Sequence, residues 1–300
     1  MKIIDGHIHI FSTINGANLN GKVKNAPYGK INNAGIVTPF IPPLNEKTCF
    51  TAEMILEMME QNGVECCILF QNPTIGFVND EVGQAILKYP NKFSGLVQID
   101  PYQKDAEKQA DLLLKKYPFS ALKLEMSTGW GWSGIYHDSN FKYEKFLSII
   151  DFAEKNNIPV VIDTGDTKSF AYKPDELGNI IKKFKKVHFV IEHGGSMTPE
   201  GDEDLWQKMV KLGLNENVYM GISAMPILLN DPYPCDAANN LLKRIVKLIG
   251  SDKLIWGTDA PTTLKMYTYR QLIDWVLIHS DFISEDETET PPPPPPLPPP

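Results

Sequence analysis

Short apolar runs of strand character alternate along the chain with longer segments that have a helical period. Residues 158–163 are apolar on both faces, which predicts a buried parallel strand. Residues 141–156 instead place Ile149, Ile150 and Ala153 on one stripe, which predicts an amphipathic helix. Because such strands and helices follow one another repeatedly, the pattern favours parallel strands joined by helical crossovers.

The alternation runs from residue 3 to residue 279. The predicted strands are 3–11, 64–70, 93–99, 121–126, 158–163, 187–192, 218–222 and 254–258. The predicted helices are 51–63, 79–89, 105–117, 141–156, 174–184, 202–212, 235–249 and 267–279. Strand–helix units in this number, over about 250 residues, predict a closed (β/α)8 TIM barrel. An open doubly wound sheet is the alternative, but it would require a glycine-rich turn where this chain has histidines.

Two segments interrupt the alternation. Residues 12–47 contain scattered Gly, Asn and Pro without a clear period, so we interpret them as a long loop after the first strand that helps to roof the site. Residues 284–300 combine an acidic run with prolines, a composition typical of disorder or polyproline II. We therefore expect one barrel domain over residues 1–283 and an acidic, proline-rich tail over residues 284–300.

The composition limits the classes of function. The formal net charge is -8, and Arg244 and Arg270 are the only arginines, so no basic stripe predicts nucleic-acid binding. The cysteines form no CxxC motif and favour reduced thiols in the cytosol. The N-terminus lacks a signal-peptide pattern, and no apolar run is long enough to span a membrane. We therefore expect a cytoplasmic protein that acts on a small-molecule substrate, without a nucleic-acid or membrane partner.

Candidate chemistry begins on the first strand, where His7 and His9 are two positions apart. Alternate residues of a strand face the same way, so these imidazoles form half of a site for a divalent metal. The alternative is a histidine pair that faces water or a hydrogen-bond partner. In a barrel the carboxyl ends of all strands meet on one face, where the chemistry takes place. The ionisable residues at the later strand ends are Lys123, Glu125, Asp163, His193 and Asp259.

Three motifs together are similar to the amidohydrolase superfamily. They are His-x-His after the first strand, His-Gly-Gly after the sixth and Gly-Thr-Asp-Ala-Pro after the eighth. The closest resemblance is to the amidohydrolase-related branch, which includes metal-dependent aromatic-acid decarboxylases, and it extends from residue 1 to about residue 279. The resemblance implies a metal held by the first-strand histidines, a fifth-strand histidine and the eighth-strand aspartate. The sixth-strand histidine would either assist the chemistry or complete the coordination shell. The resemblance is also compatible with a homodimer.

His7, His9, His193 and Asp259 match that pattern, but the fifth strand ends in Asp163 where a histidine is expected. In one interpretation the Asp163 carboxylate replaces the histidine as a ligand, beside His7, His9 and Asp259. This interpretation is favoured, because an aspartate ending an apolar strand needs a charged partner. In the other, Asp163 is not a ligand and the site is weak or inactive. Zinc is the expected ion, and manganese or iron also suit two histidines and two carboxylates.

The first functional hypothesis is a metal-dependent hydrolase that uses activated water on a small carbonyl compound. Asp259 would transfer protons and His193 would stabilise the oxyanion. Lys123 and Glu125 would orient the substrate.

Trp130 and Trp132 follow the fourth strand, where they either wall an apolar substrate pocket or pack under their loop. Two alternatives to hydrolysis remain open. One is a metal-dependent nonoxidative decarboxylase of a small aromatic or unsaturated carboxylic acid. The other is a barrel without metal that has a binding role.

Overall fold

The computed structural model describes residues 2–280 and 282–283. The described strands are β1 (Ile3–His9), β2 (Asn15–Asn18), β3 (Gly21–Ala26), β4 (Lys30–Asn33), β5 (Ile36–Pro39), β6 (Val64–Phe70), β7 (Phe93–Gln98), β8 (Ala121–Glu125), β9 (Val160–Asp163), β10 (Phe189–Ile191), β11 (Val218–Gly221) and β12 (Leu254–Ile255). The described α-helices are α1 (Ala52–Asn62), α2 (Asn79–Lys88), α3 (Ala106–Lys116), α4 (Trp132–Ile135), α5 (Leu147–Lys155), α6 (Pro174–Lys183), α7 (Glu203–Val210), α8 (Met225–Leu228), α9 (Asp236–Ile249) and α10 (Tyr269–Leu277).

Eight parallel strands form the barrel in the order β1-β6-β7-β8-β9-β10-β11-β12. The segment that continues β12 closes the cylinder against β1. The amide of Gly6 donates to the carbonyl of Trp256 at 3.0 Å, and the amide of Asp259 donates to that of His7 at 2.8 Å. The TIM-barrel prediction is therefore confirmed. The loops that follow the carboxyl ends of the eight strands lie on one face of the barrel.

The barrel interior is built in layers. Phe70, Leu96, Ala121 and Val161 form an apolar cluster inside it, with Ile68 and Val190 packed against them. Residues two positions further along a strand face the same way, so polar side chains lie directly above this cluster. We call them the polar layer, and its members on these strands are Gln98, Lys123, Asp163 and Glu192. The larger core lies between the barrel and its surrounding helices.

The predicted helices are found close to their predicted bounds because local signals fix their ends. Thr51 caps α1 by accepting a hydrogen bond from the amide of Met54, and Gly63 ends the helix at a φ of 71°. The helix predicted over 141–156 starts with a 3-10 turn (Tyr143–Phe146) before α5. The helices α4 and α8 were not predicted, because four residues are too few to reveal a period.

The interpretation of residues 12–47 as a long loop is wrong. This segment contains an antiparallel sheet in the order β2-β3-β4-β5. Its strands are short and rich in Gly, Asn and Lys, so they show no alternation of apolar and polar residues. The amide of Ala17 in β2 donates to the carbonyl of Pro73 at 2.9 Å, which attaches the sheet to the loop after β6. The sheet therefore lies over a loop at the mouth of the barrel, the face formed by the strand C-termini.

The remaining predictions about organisation stay open. None of the described helices is long and apolar enough to cross a membrane. The tail predicted over 284–300 lies outside the described residues, so the boundary at residue 283 stays a prediction.

Candidate metal centre

Three ligand atoms converge where β1 meets the segment after β12. The Nε2 atoms of His7 and His9 are 3.1 Å apart. Asp259 Oδ1 lies 3.1 Å from Nε2 of His9 and 3.4 Å from Nε2 of His7. Atoms that bind one ion tetrahedrally at about 2.0–2.1 Å are about 3.3–3.4 Å apart. The spacing of these three atoms therefore fits a divalent metal ion.

Backbone contacts between β1 and the chain after β12 bring these ligands together. Gly257 lies so close that a Cβ atom there would be 2.6 Å from the backbone nitrogen of His7. Asp5 is fully buried and accepts hydrogen bonds from the hydroxyl of Thr258 at 2.6 Å and from that of Tyr269 at 2.8 Å. Burial raises the pKa of Asp5 to about 6, against the lowering effect of these hydrogen bonds. Asp5 thus fixes the strand that carries the two histidines.

The second ring nitrogen of His7 has its own partners. Nδ1 lies 2.7 Å from Glu192 Oε2 and 2.9 Å from the hydroxyl oxygen of Ser223. A carboxylate accepts the Nδ1 proton, so the Nε2 lone pair points toward His9 and Asp259, as in many carboxylate–histidine–metal arrangements. Nδ1 of His9 is buried, and no described residue provides a hydrogen-bond partner for it. Glu192 and Ser223 were not predicted as site residues, although Glu192 precedes His193 at a strand end.

His193 and Asp163 form a separate pair. His193 Nε2 lies 3.1 Å from Asp163 Oδ2, and His193 Nδ1 lies 3.0 Å from the carbonyl oxygen of Ser223. Burial would lower the pKa of His193, but the Asp163 carboxylate raises it to about 10. Burial would raise the pKa of Asp163, but His193 and Lys123 hold it far below its usual range. Within the described residues, potential ligand atoms cluster in two groups, His7 with His9 and Asp259, and His7 with Glu192 and His193. Asp163 belongs to neither group, and its assignment as a ligand stays a prediction.

Asp259 and Lys123 are charged at neutral pH. Burial would raise the pKa of Asp259, but the two first-strand imidazoles lower it to about 2. Burial would lower the pKa of Lys123, but Glu125 and other carboxylates raise it. Lys123 Nζ lies 3.5 Å from Glu125 Oε2, and burial together with the charge of Asp163 raises the pKa of Glu125 to about 8.

These charges leave the site with a negative excess near pH 7. Lys123 and His193 are positive, whereas Asp163, Glu192 and Asp259 are negative. With Glu125 protonated, the carboxylates exceed the cations by one, so the set favours a bound cation.

Of the two tryptophans predicted to line the site, Trp130 lies on the loop between β8 and α4, and Trp132 is the first residue of α4. Trp132 is buried, and its Nε1 has no hydrogen-bond partner among the described residues. Trp130 is half exposed, with its ring 6.2 Å from that of Phe40, so it contacts the segment that follows β5. Their roles in lining a substrate pocket stay predictions.

The sequence matches the model of the amidohydrolase family over residues 4–290, so the chain belongs to this family. The resemblance inferred from the three motifs is confirmed, and with it the class of protein, an enzyme. No functionally curated protein matches the sequence at a significant level.

Solved structures with this fold come from several bacteria. An amidohydrolase from Burkholderia multivorans with bound zinc has a TM-score of 0.66 and 12% identity, covering 96% of this chain and 94% of that one. A probable 2-pyrone-4,6-dicarboxylic acid hydrolase from Acinetobacter baumannii with bound citric acid has a TM-score of 0.62 and 17% identity, covering 92% and 91%. A 2,6-dihydroxybenzoate decarboxylase from Rhizobium has a TM-score of 0.55 and 14% identity, covering 80% and 85%. At these identities the three structures support the fold alone.

Proposed function

We propose that this protein is a metal-dependent hydrolase that attacks a small carbonyl compound with water. The observation that carries the proposal is the cluster of His7 Nε2, His9 Nε2 and Asp259 Oδ1, whose mutual distances of 3.1–3.4 Å fit a single ion. These three residues would hold the metal, with zinc expected and manganese or iron as alternatives. A divalent ion there would supply Lewis-acid chemistry that polarises a carbonyl and lowers the pKa of water.

The remaining residues have separate roles in this proposal. Asp259 is ionised and reaches the centre of the site, so its carboxylate can accept a proton and return it to a leaving group. His193 stays protonated through its pair with Asp163, so it can stabilise negative charge that develops on a substrate oxygen. Lys123 provides a buried ammonium that can bind an anionic or carbonyl oxygen of the substrate. Glu125, whose Oε2 lies 3.5 Å from Lys123 Nζ, would orient the substrate together with it.

The amidohydrolase from Burkholderia multivorans with bound zinc supports a metal in this fold. We place Asp163 with His193 rather than on the ion, because their distance of 3.1 Å is that of a direct ion pair. This differs from the four-ligand set expected from the sequence. Metal analysis of the Asp163→Asn variant separates the two arrangements.

Decarboxylation is the second candidate, and two observations favour it. Protonated His193 is a proton source for a carbon that loses CO2, and buried Lys123 is a partner for the carboxylate that leaves. The decarboxylase from Rhizobium has the same fold. A barrel without metal is the third candidate.

The test begins with metal analysis of purified protein after growth with zinc or manganese. Zinc or manganese at close to one equivalent supports the proposal, and a small fraction of an equivalent favours the barrel without metal. The metal-loaded protein is then assayed against panels of lactones, esters and amides and, in parallel, for CO2 release from hydroxybenzoates. Hydrolysis without CO2 release supports the hydrolase, and the opposite result selects the decarboxylase.

A further inference from the structure

A buried amide in the polar layer has an acceptor atom without a partner. Gln98 ends β7 and is fully buried, and its Nε2 donates a long hydrogen bond of 3.4 Å to the carbonyl of Gly76. That contact orients the amide and leaves Oε1 pointing elsewhere. No donor among residues 2–280 and 282–283 lies within hydrogen-bonding distance of Oε1. Because burying an unpaired amide oxygen costs free energy, a role in binding a ligand would explain its presence.

Gln98 lies beside Lys123 on the adjacent strand. The two residues are register partners in the parallel pair of β7 and β8. Both face the barrel interior, because Leu96 and Ala121, two positions earlier on each strand, belong to the apolar cluster. The two side chains therefore extend from adjacent strands into the interior, at the floor of the mouth.

The ammonium of Lys123 has N–H donors that make no short hydrogen bond to a carboxylate among the described residues. It carries three N–H groups, and its side chain is 1% exposed. Its nearest carboxylate oxygen, Glu125 Oε2, is 3.5 Å away, longer than the usual ammonium–carboxylate hydrogen bond of about 2.7–2.9 Å. Its other close contact is with the ring of Phe70, whose centroid is 5.3 Å from Nζ. A donor-rich cation thus lies on the strand adjacent to the one that carries the unpaired acceptor.

We propose that Gln98 determines the specificity of this site by accepting a hydrogen bond from a substrate hydroxyl, next to an anionic or carbonyl oxygen bound by Lys123. Neighbouring strands are about 4.8 Å apart. One small ligand therefore reaches both residues when its hydroxyl and its carboxylate or carbonyl group are attached to the same carbon atom or to adjacent carbon atoms. The ligand class is a small hydroxycarboxylate or an ester derived from one. The binding step is independent of the reaction, but the assignment of this ligand as substrate rests on the proposed hydrolase.

Matched ligands that differ by one hydroxyl group test the proposal. We would measure dissociation constants by calorimetry for lactate against propionate and for salicylate against benzoate. Metal-free, chelator-treated protein is used first, since a hydroxycarboxylate can chelate a metal ion. The wild-type protein should bind the hydroxylated member of at least one pair about five- to tenfold more tightly, which is the effect of one hydrogen bond between neutral groups.

The decisive variant is Gln98→Met, which keeps the side-chain length and removes the acceptor. Its preference for the hydroxylated member should fall below about twofold, while propionate or benzoate binds as in the wild type. Gln71→Met is the matched control. Gln71 is also a fully buried amide with an unpaired Oε1, but it follows the inward-facing Phe70 and so points away from the interior. This control should keep the wild-type preference.

Lys123→Met should weaken the binding of both ligands of a pair by a similar factor. The proposal is overturned if Gln98→Met keeps the preference, if the wild type has none, or if no ligand of either pair binds. Zinc content and hydrolysis are measured on the same samples. If the protein prefers the hydroxylated ligand through Gln98 but binds no zinc and hydrolyses nothing, only the proposed function is contradicted. If it hydrolyses substrates but has no such preference, only this inference is contradicted.

Discussion

The mouth of the barrel has two halves that satisfy their charged groups in different ways. In the half formed by β1 and the chain after β12, His7, His9 and Asp259 direct ligand atoms at one point. In the half formed by β8 to β10, Asp163 faces His193 and Lys123 faces Glu125, so acids and bases pair with each other. In the proposed function the first half would therefore be completed by an external cation, whereas the second half carries its own cations, Lys123 and His193. The comparison separates residues that would bind metal from residues that would act on substrate.

Removing an imidazole from the first half should have the largest effect. We expect His9→Ala to weaken zinc binding by more than about a hundredfold, because even residues that only support a ligand contribute about 10–100-fold. Elemental analysis after dialysis measures the loss. His188→Ala is the control, since His188 lies just before β10 with its ring next to Tyr219. Equal zinc content in His9→Ala and in the control would contradict the assignment.

Removing the support of β1 should reduce stability. Asp5→Ala deletes a buried carboxylate that accepts hydrogen bonds from Thr258 and Tyr269, so we expect a loss of about 3 kcal/mol in the free energy of unfolding. Tyr269→Phe removes one of these bonds and should cost about 1 kcal/mol. Urea denaturation measures both. Equal losses in the two variants would show that Asp5 does not organise this half.

Metal addition should stabilise the folded protein through the first half. Zinc at a hundred times its dissociation constant should add about 2.7 kcal/mol and raise Tm by about 5 °C or more. Thermal unfolding with zinc and then with excess chelator measures this shift. Asp259→Asn should show a much smaller shift. A shift of the same size in that variant would remove Asp259 from the ligand set.

A smaller effect is expected from the second half. Asp163→Asn should leave the zinc content unchanged and lower activity about tenfold, because His193 loses the carboxylate that keeps it protonated. NMR titration of metal-free protein should find the His193 pKa well below its wild-type value of about 10. Loss of zinc from this variant would instead support Asp163 as a fourth ligand.

The same pair makes stability depend on pH. The folded-state pKa of His193 is raised from 6.5 to about 10, so its contribution is complete below pH 6.5 and is lost as pH rises through about 10. The folded-state pKa of Asp163 is lowered, so its contribution to folding stability is complete above its ordinary pKa of 3.8. The stability difference between the metal-free wild type and Asp163→Asn should therefore be largest between about pH 4 and 6.5 and should shrink toward pH 10. Urea denaturation at several pH values measures this difference, and a flat profile would contradict the ion pair.

The sequence predicted more of the barrel than of the small sheet. Buried parallel strands such as 158–163 are continuous apolar runs, and their helices carry a clear stripe, so both leave a strong pattern. The strands β2 to β5 are four to six residues long, and they are held by backbone pairing and by contacts with the loop after β6. That pairing depends on residues far away in the chain, which a local pattern does not reveal.

The order of the eight barrel strands and their helices, and the position of His7, His9, His193 and Asp259 at strand ends, followed from the sequence alone. These features depend on residue type and spacing, which the sequence contains. Only the tertiary structure decided the partners: Asp163 lies with His193, Glu192 with His7, and Gln98 beside Lys123 with an Oε1 that has no partner among the described residues. The physical reason is that these contacts lie between strands, where distances of a few ångströms are set by barrel closure and register.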